Sequence, residues 1–251
     1  MEITIEFDPT EMIQGLDELV KVQIPNAGVN ALNKTVFEVS QELKTQAASR
    51  FNNPVPLTLN SFLYRKATPE KLEARVFIRD DVPKGNSPSR YLAPQIYGGQ
   101  YYRTRFQRSL GYTPNPDDNS PILAPNRVMI PTSSSSVRRN QYGNMSPGQY
   151  TQILSSLRSE SSAGNKIVNA GRNRNKTAMR YFYVSQEMLD DQYRNLKSRT
   201  PGIFLYRNGK LSKVLTESRL PVYRAKFPFF DIARSTAEAQ FAKNFNAIVL
   251  R

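Results

Sequence analysis

Ile24-Pro-Asn-Ala-Gly-Val-Asn-Ala-Leu-Asn-Lys-Thr35, continued by Val36-Phe-Glu-Val-Ser-Gln-Glu-Leu-Lys-Thr-Gln-Ala-Ala-Ser-Arg50, decides the fold. Its apolar side chains fall at Val29, Leu32, Val36, Val39, Leu43 and Ala47. Steps of three and four keep them on one stripe of a helix. Pro25 suits the first turn and Asn26 suits the N-cap, so the helix is expected from about Asn26 to Arg50. Asn52-Asn53-Pro54 ends it. At 1.5 Å per residue it is ~36 Å long, enough to span a domain face.

Toward the N-terminus, Ile3, Ile5 and Phe7 alternate with Glu2, Thr4 and Glu6, the period-two pattern of a half-buried strand. A short helix with Met12, Leu16, Leu19 and Val20 is expected next. Beyond the long helix, Leu59 to Lys66 and Leu72 to Arg79 read as a hairpin, with Leu72, Ala74, Val76 and Ile78 sharing a face. Ser89 caps a short helix that stops at Gly98-Gly99, and a second runs from Tyr101 to Leu110.

Residues 111–140 hold five prolines and the run Ser133 to Ser136, which reads as a long loop or arm. Ser146-Pro147-Gly148-Gln149 opens a helix, with Ser146 as N-cap and Gln149 completing a capping box. Tyr181 to Val184 reads as a strand. Ile203 to Tyr206 and Leu211 to Leu215 flank Asn208-Gly209, a pair that favours the tight hairpin turn. Val222 to Phe227 is extended, and a helix from about Asp231 to Leu250 carries Ala233, Ala237, Phe241, Phe245 and Ile248 on one face.

The expected class is therefore α+β: an antiparallel meander packed against a long N-terminal and a C-terminal helix, with long Pro/Ser-rich loops. The chain reads as a single domain over residues 1–251, its arm at about 111–145, and its C-terminal strands returning to the first sheet.

The 251 residues include no Cys, His or Trp. Disulfides, zinc sites built from Cys or His, Ser-His-Asp triads and thiol nucleophiles are thereby excluded. No phosphate-cradling glycine loop or nucleophile elbow is present. The doublets Asp80-Asp81, Asp117-Asp118 and Asp190-Asp191 could hold Mg²⁺, but each sits among loop signals and reads as a solvated turn. No enzymatic activity, metal or cofactor is expected.

The net charge is +14, unevenly spread. Residues 1–99 are net −1, residues 100–180 net +9 and residues 181–251 net +6. A basic middle and end suggest contact with a polyanion or an acidic partner surface. Arginines interleave with aromatics, as in Tyr101-Tyr102-Arg103 and Arg105-Phe106, a mixture that suits protein interfaces and nucleic acid alike. The candidate contacts to a partner or to DNA are Arg103, Arg105, Arg108, Arg138, Arg139, Arg172, Arg174 and Lys176. No stretch approaches ~18 consecutive apolar residues, and no leader-like segment opens the chain, so no membrane contact and a cytoplasmic origin are expected.

Gly15-Leu-Asp-Glu-Leu19, followed by the Ile24 to Thr35 string opening a long helix, resembles the start of tailed-phage minor tail proteins of the Z type. Tyr91-Leu-Ala-Pro-Gln-Ile-Tyr-Gly-Gly99 and Tyr142-Gly-Asn-Met-Ser-Pro-Gly-Gln149 are similar to strings in larger prophage neck and tail-completion proteins of that broad group. The resemblance implies a virion structural protein at the head–tail junction or tail top, made in the host cytoplasm. It implies a ring of six or twelve copies, set against neck, connector or tail-tube neighbours and in reach of packaged DNA. The alternative reading is a sequence-independent nucleic-acid-binding protein acting through the basic middle region.

Overall fold

The computed structural model describes residues 1–10, 18–83, 85–115, 118–163, 179–191 and 200–249. The fold is α+β, and every strand pair in it is antiparallel. By contact the chain divides into two compact units where the sequence reads as one domain. Met1–Gln100 joins Val222–Arg251 in the first, and Tyr101–Pro221 forms the second.

In unit 1, strand β1 (Glu2–Glu6), helix α1 (Glu18–Arg50), helix α2 (Pro56–Leu59), strands β2 (Phe62–Arg65) and β3 (Glu73–Ile78) and helix α3 (Pro88–Tyr97) follow in order. Strand β4 (Gly99–Gln100) later pairs with β9 (Val222–Tyr223), and helix α7 (Phe229–Val249) closes the chain. The first sheet has the order β1-β3-β2. The expected hairpin is present, and Ala74, Val76 and Ile78 point into the core.

From Leu32 onward the stripe on α1 packs as its spacing requires, whereas Val29 is only half-buried. Leu32, Val36, Val39, Leu43 and Ala47 have no exposed surface and meet Phe62, Val76, Phe227 and Phe229. Each of the valines and leucines contributes up to about 1.5–3 kcal/mol by burial. The helix begins earlier than expected, at Glu18, with Pro25 inside it and Asn26 no longer a cap. Burial of Ile24, Ala27 and Gly28 carries the helix across the one backbone donor that Pro25 lacks. Most of the expected short helix around Met12 lies outside the described residues. Gly28 has a packing reason: a Cβ there would stand 2.5 Å from the Phe7 ring. That ring sits 5.5 Å from Phe241 and 5.1 Å from Phe245, which fastens β1 and α7 beside α1.

Polar side chains lock the same helix. Asn33 accepts from the backbone of Ala67 (2.7 Å) and donates to its carbonyl (3.2 Å), holding the β2–β3 connection. Ser40 donates to the Phe62 carbonyl, and Asn244 of α7 donates to the buried Thr35 hydroxyl and to Glu38. Helix α3 starts at Pro88 after Ser87, two residues ahead of the expected Ser89 cap, and stops at Gly98 as expected.

Unit 2 contains helix α4 (Arg105–Leu110), strand β5 (Arg127–Pro131), helix α5 (Pro147–Ala163), strand β6 (Met179–Val184), helix α6 (Gln186–Asp190) and strands β7 (Gly202–Arg207) and β8 (Lys210–Arg219). The sheet order is β5-β8-β7-β6. Two expectations change here. The C-terminal strands do not return to the first sheet, because β8 finds β5 as its second partner. The 111–145 stretch is not an arm: it contributes β5, and it buries Ile122, Leu123, Val128, Met129, Val137 and Met145. Those apolar residues are sparse and without period, yet all but Val128 land on the core formed by Ile153, Leu157, Tyr181 and Leu215. Helix α4 is shorter than expected and begins after Thr104, whose capping box with Gln107 fixes its first turn.

Candidate functional site

The site begins with a turn. Asn208 (φ 52°) and Gly209 (φ 72°) both take the left-handed conformation that a two-residue hairpin needs. The turn sets Arg207 and Lys210 directly opposite each other, and Leu205 opposite Ser212. On the other side of β7, Tyr181 of β6 pairs with Leu205. Alternation puts Arg207, Lys210, Leu205, Ser212 and Tyr181 on one face of the sheet. Tyr181 and Leu205 belong to the core that includes Ile153 and Leu157 of α5.

The second wall comes from the segment ahead of α5. Gln149 is fully buried and acts as a bracket. Its Oε1 accepts from the Arg138 backbone N–H (2.7 Å), and its Nε2 donates to the Ser136 carbonyl (2.8 Å) and the Tyr181 hydroxyl (3.2 Å). The expected capping box is therefore not formed by this residue, whose side chain turns into the core. The Ser146 backbone N–H instead donates to the Arg138 carbonyl (2.8 Å). The bracket matters energetically, since each buried polar group left unmatched costs about 1–3 kcal/mol.

Between the two walls lies a cavity of about 480 Å³. Three cations line it, Arg138, Arg207 and Lys210, together with the hydroxyl-bearing Ser135, Ser136 and Ser212. Tyr181 and Leu205 contribute apolar surface to it. None of the described residues that line it is a carboxylate. The Arg138 side chain donates to Gln152 from one guanidinium nitrogen.

The other expected contact residues have different fates. Arg103 is half-buried and donates to the carbonyls of Gln107 (3.1 Å) and Leu123 (3.3 Å). Burial lowers its pKa from the ordinary arginine value, and its buried Nε is without a hydrogen-bond partner. Arg108 donates to the Tyr102 hydroxyl and lies over that ring, 5.1 Å from its centre. Arg139 donates to the carbonyls of Gly143 (2.6 Å) and Thr132 (2.8 Å). Arg105 is exposed at the start of α4. Arg172, Arg174 and Lys176 lie outside the described residues. Of the five that lie among the described residues, only Arg138 lines the cavity, and it is joined there by Arg207, Lys210 and three serines that were not among the candidate contacts. The signal for two of them was the Asn-Gly turn, which makes its flanking residues cross-strand neighbours.

A carboxylate cluster is lacking among the described residues, where no group of three acidic, His or Cys side chains could hold a metal ion. Asp80 accepts from the hydroxyls of Ser89 and Ser87, which hold its carboxyl below the usual range. Asp190 accepts from Gln186 on the same helix. Glu217 is held by Tyr183 (2.9 Å) and Arg127 (3.4 Å), and burial first, then the Glu217 charge, raises the Tyr183 phenol well above its ordinary value. No helix among the described residues is long and apolar enough to cross a membrane. Compared with known protein families, characterised proteins and solved structures, the chain matches none.

Proposed function

We propose that the chain is a structural component of a tailed-phage virion, placed at the head–tail junction or the top of the tail. It acts by assembly into a ring of six or twelve copies against neck, connector or tail-tube neighbours, and it performs no chemistry of its own. The observation that carries this reading is the Tyr142 to Gln149 string, which resembles neck and tail-completion proteins. In the fold the same string supplies the Gln149 bracket rather than a reactive group. The Ile24 to Thr35 string supports it in the same way, since Asn33 and Thr35 are fastenings inside unit 1. Uncovered aromatic surface also supports it. Phe37 is 46% exposed beside Tyr64, and Tyr97 is 61% exposed beside Phe230. Exposed aromatic pairs of this kind suit contact with a neighbouring protein.

The reading is tested by tagging the chain in assembled particles and locating the tag by electron microscopy. Label at the junction of head and tail is expected. Label elsewhere on the particle, or none, would contradict the assignment.

The basic cavity favours a second reading, a sequence-independent nucleic-acid-binding protein. The two are compatible where a ring encloses a DNA path.

A further inference from the structure

We propose that the cavity between the Asn208-Gly209 hairpin and the Ser135 to Arg138 segment is a phosphate site for a nucleic-acid backbone. The first argument is electrostatic. Arg207 and Lys210 are cross-strand partners, and like charges directly opposite each other weaken a sheet. Arg138 brings a third cation to the same cavity, and no described lining residue supplies a carboxylate. A carboxylate-free cluster of this kind is relieved by an anion from outside the chain.

The second argument is the donor set. Ser135, Ser136 and Ser212 add hydroxyls to two guanidinium forks and an ammonium, a set that matches the several acceptor oxygens of a phosphate. The third is that the site is built. Gln149 is fully buried and fixes the Ser136 carbonyl, the Arg138 backbone and the Tyr181 hydroxyl at once, so the turn and the sheet face are held in register before any ligand arrives. The fourth is the field around it. Unit 2 carries 19 basic and 7 acidic residues, net +12, which attracts a polyanion from beyond the cavity itself. Backbone contact of this kind ignores base sequence.

The assignment rests on the virion reading only for which nucleic acid is met. It is tested on the isolated full chain, whereas the virion reading is tested on particles, so either can fail alone. The experiment measures binding of a fluorescently labelled 20-base-pair duplex by anisotropy across a salt series. The cavity variant is Arg207→Ala with Lys210→Ala. The control is Arg65→Ala with Arg224→Ala, which removes the same charge from unit 1. The cavity variant is expected to lose at least tenfold in affinity and to flatten the salt dependence by about two phosphate contacts, near 0.9 in slope for each. The control is expected to change affinity less than threefold. Thermal unfolding without DNA should show the cavity variant at least as stable as the parent, because the opposed charges are gone. Equal losses in the two variants, or none in either, would overturn the proposal. So would a polyglutamate that displaces the duplex at equal charge concentration, since it would show a site for acidic protein. Stabilisation by inorganic phosphate without duplex binding would overturn the nucleic-acid assignment as well.

Discussion

Unit 1 and unit 2 reach folded cores by different means. Unit 1 has 16 basic and 14 acidic residues and is organised by one long apolar stripe on α1. Unit 2 is net +12, has no helix of comparable length among its described residues, and gathers its core from short segments on both sides of several turns. Its turns are pinned by buried amides. Gln107 donates to the Met129 carbonyl (3.2 Å), and Gln149 holds three partners. The comparison teaches that a polar, proline-rich stretch within a strongly basic unit can still be a packed element. The requirement is that its few large apolar residues each find the core and that its backbone polar groups are matched.

The largest effect that would break this contrast is deletion of residues 111–140. If the stretch is core, the deletion removes β5 and its buried residues and abolishes cooperative unfolding of unit 2 while unit 1 stays folded. Limited proteolysis and calorimetry read this directly. A folded unit 2 after the deletion would restore the arm interpretation.

Next in size is Phe229→Ala, expected to destabilise unit 1 by ~3–5 kcal/mol in denaturant unfolding, because a fully buried ring leaves a cavity. Phe229→Leu should recover much of that loss. Gln149→Ala should cost unit 2 about 2–4 kcal/mol, since each abandoned polar group costs about 1–3. Here Gln149→Leu should recover little, because volume is restored but three hydrogen bonds are not. A rescue by Leu at position 149 equal to that at 229 would erase the distinction between the two cores.

The smallest effect is electrostatic. Tyr183 is held neutral by burial and by Glu217, so its folded pKa lies above the unfolded value near 10.0. A raised folded pKa adds stability that is complete below the unfolded pKa and is lost as pH rises through the folded one. Unit 2 stability should therefore decline above about pH 10 more steeply in the parent than in Tyr183→Phe. The substitution itself should cost about 1 kcal/mol at neutral pH through the lost hydrogen bond. Identical slopes in the two proteins would place Tyr183 in solvent-like surroundings.

How far the sequence could be read follows the same division. The α1 stripe, the β2–β3 hairpin, the Asn208-Gly209 turn and the C-terminal helix are legible because a fixed period or a turn pair dictates them. The start of α1 at Glu18 is not, because Pro25 signals a helix opening and burial overrides it. β5 is hidden because Val128 and Met129 are flanked by Pro125 and Pro131, with no alternation to mark a strand. Gln149 reads as part of a cap and nothing in the pattern marks Asn33, Thr35 or Gln107, since a polar side chain gives no sign that it faces a partner across the core. Charge told where the cations are, but not their commitments. Arg103, Arg108 and Arg139 serve internal carbonyls or a ring, while Arg207 and Lys210 stand opposed at the cavity.

The central claim is that this chain is part of an assembled particle. It is met most directly by counting the chain in purified particles, by quantitative mass spectrometry against the major tail protein. The account predicts six or twelve copies per particle. Absence from particles, or a trace amount unrelated to the tail symmetry, would contradict it and leave nucleic-acid binding by unit 2 as the function to pursue.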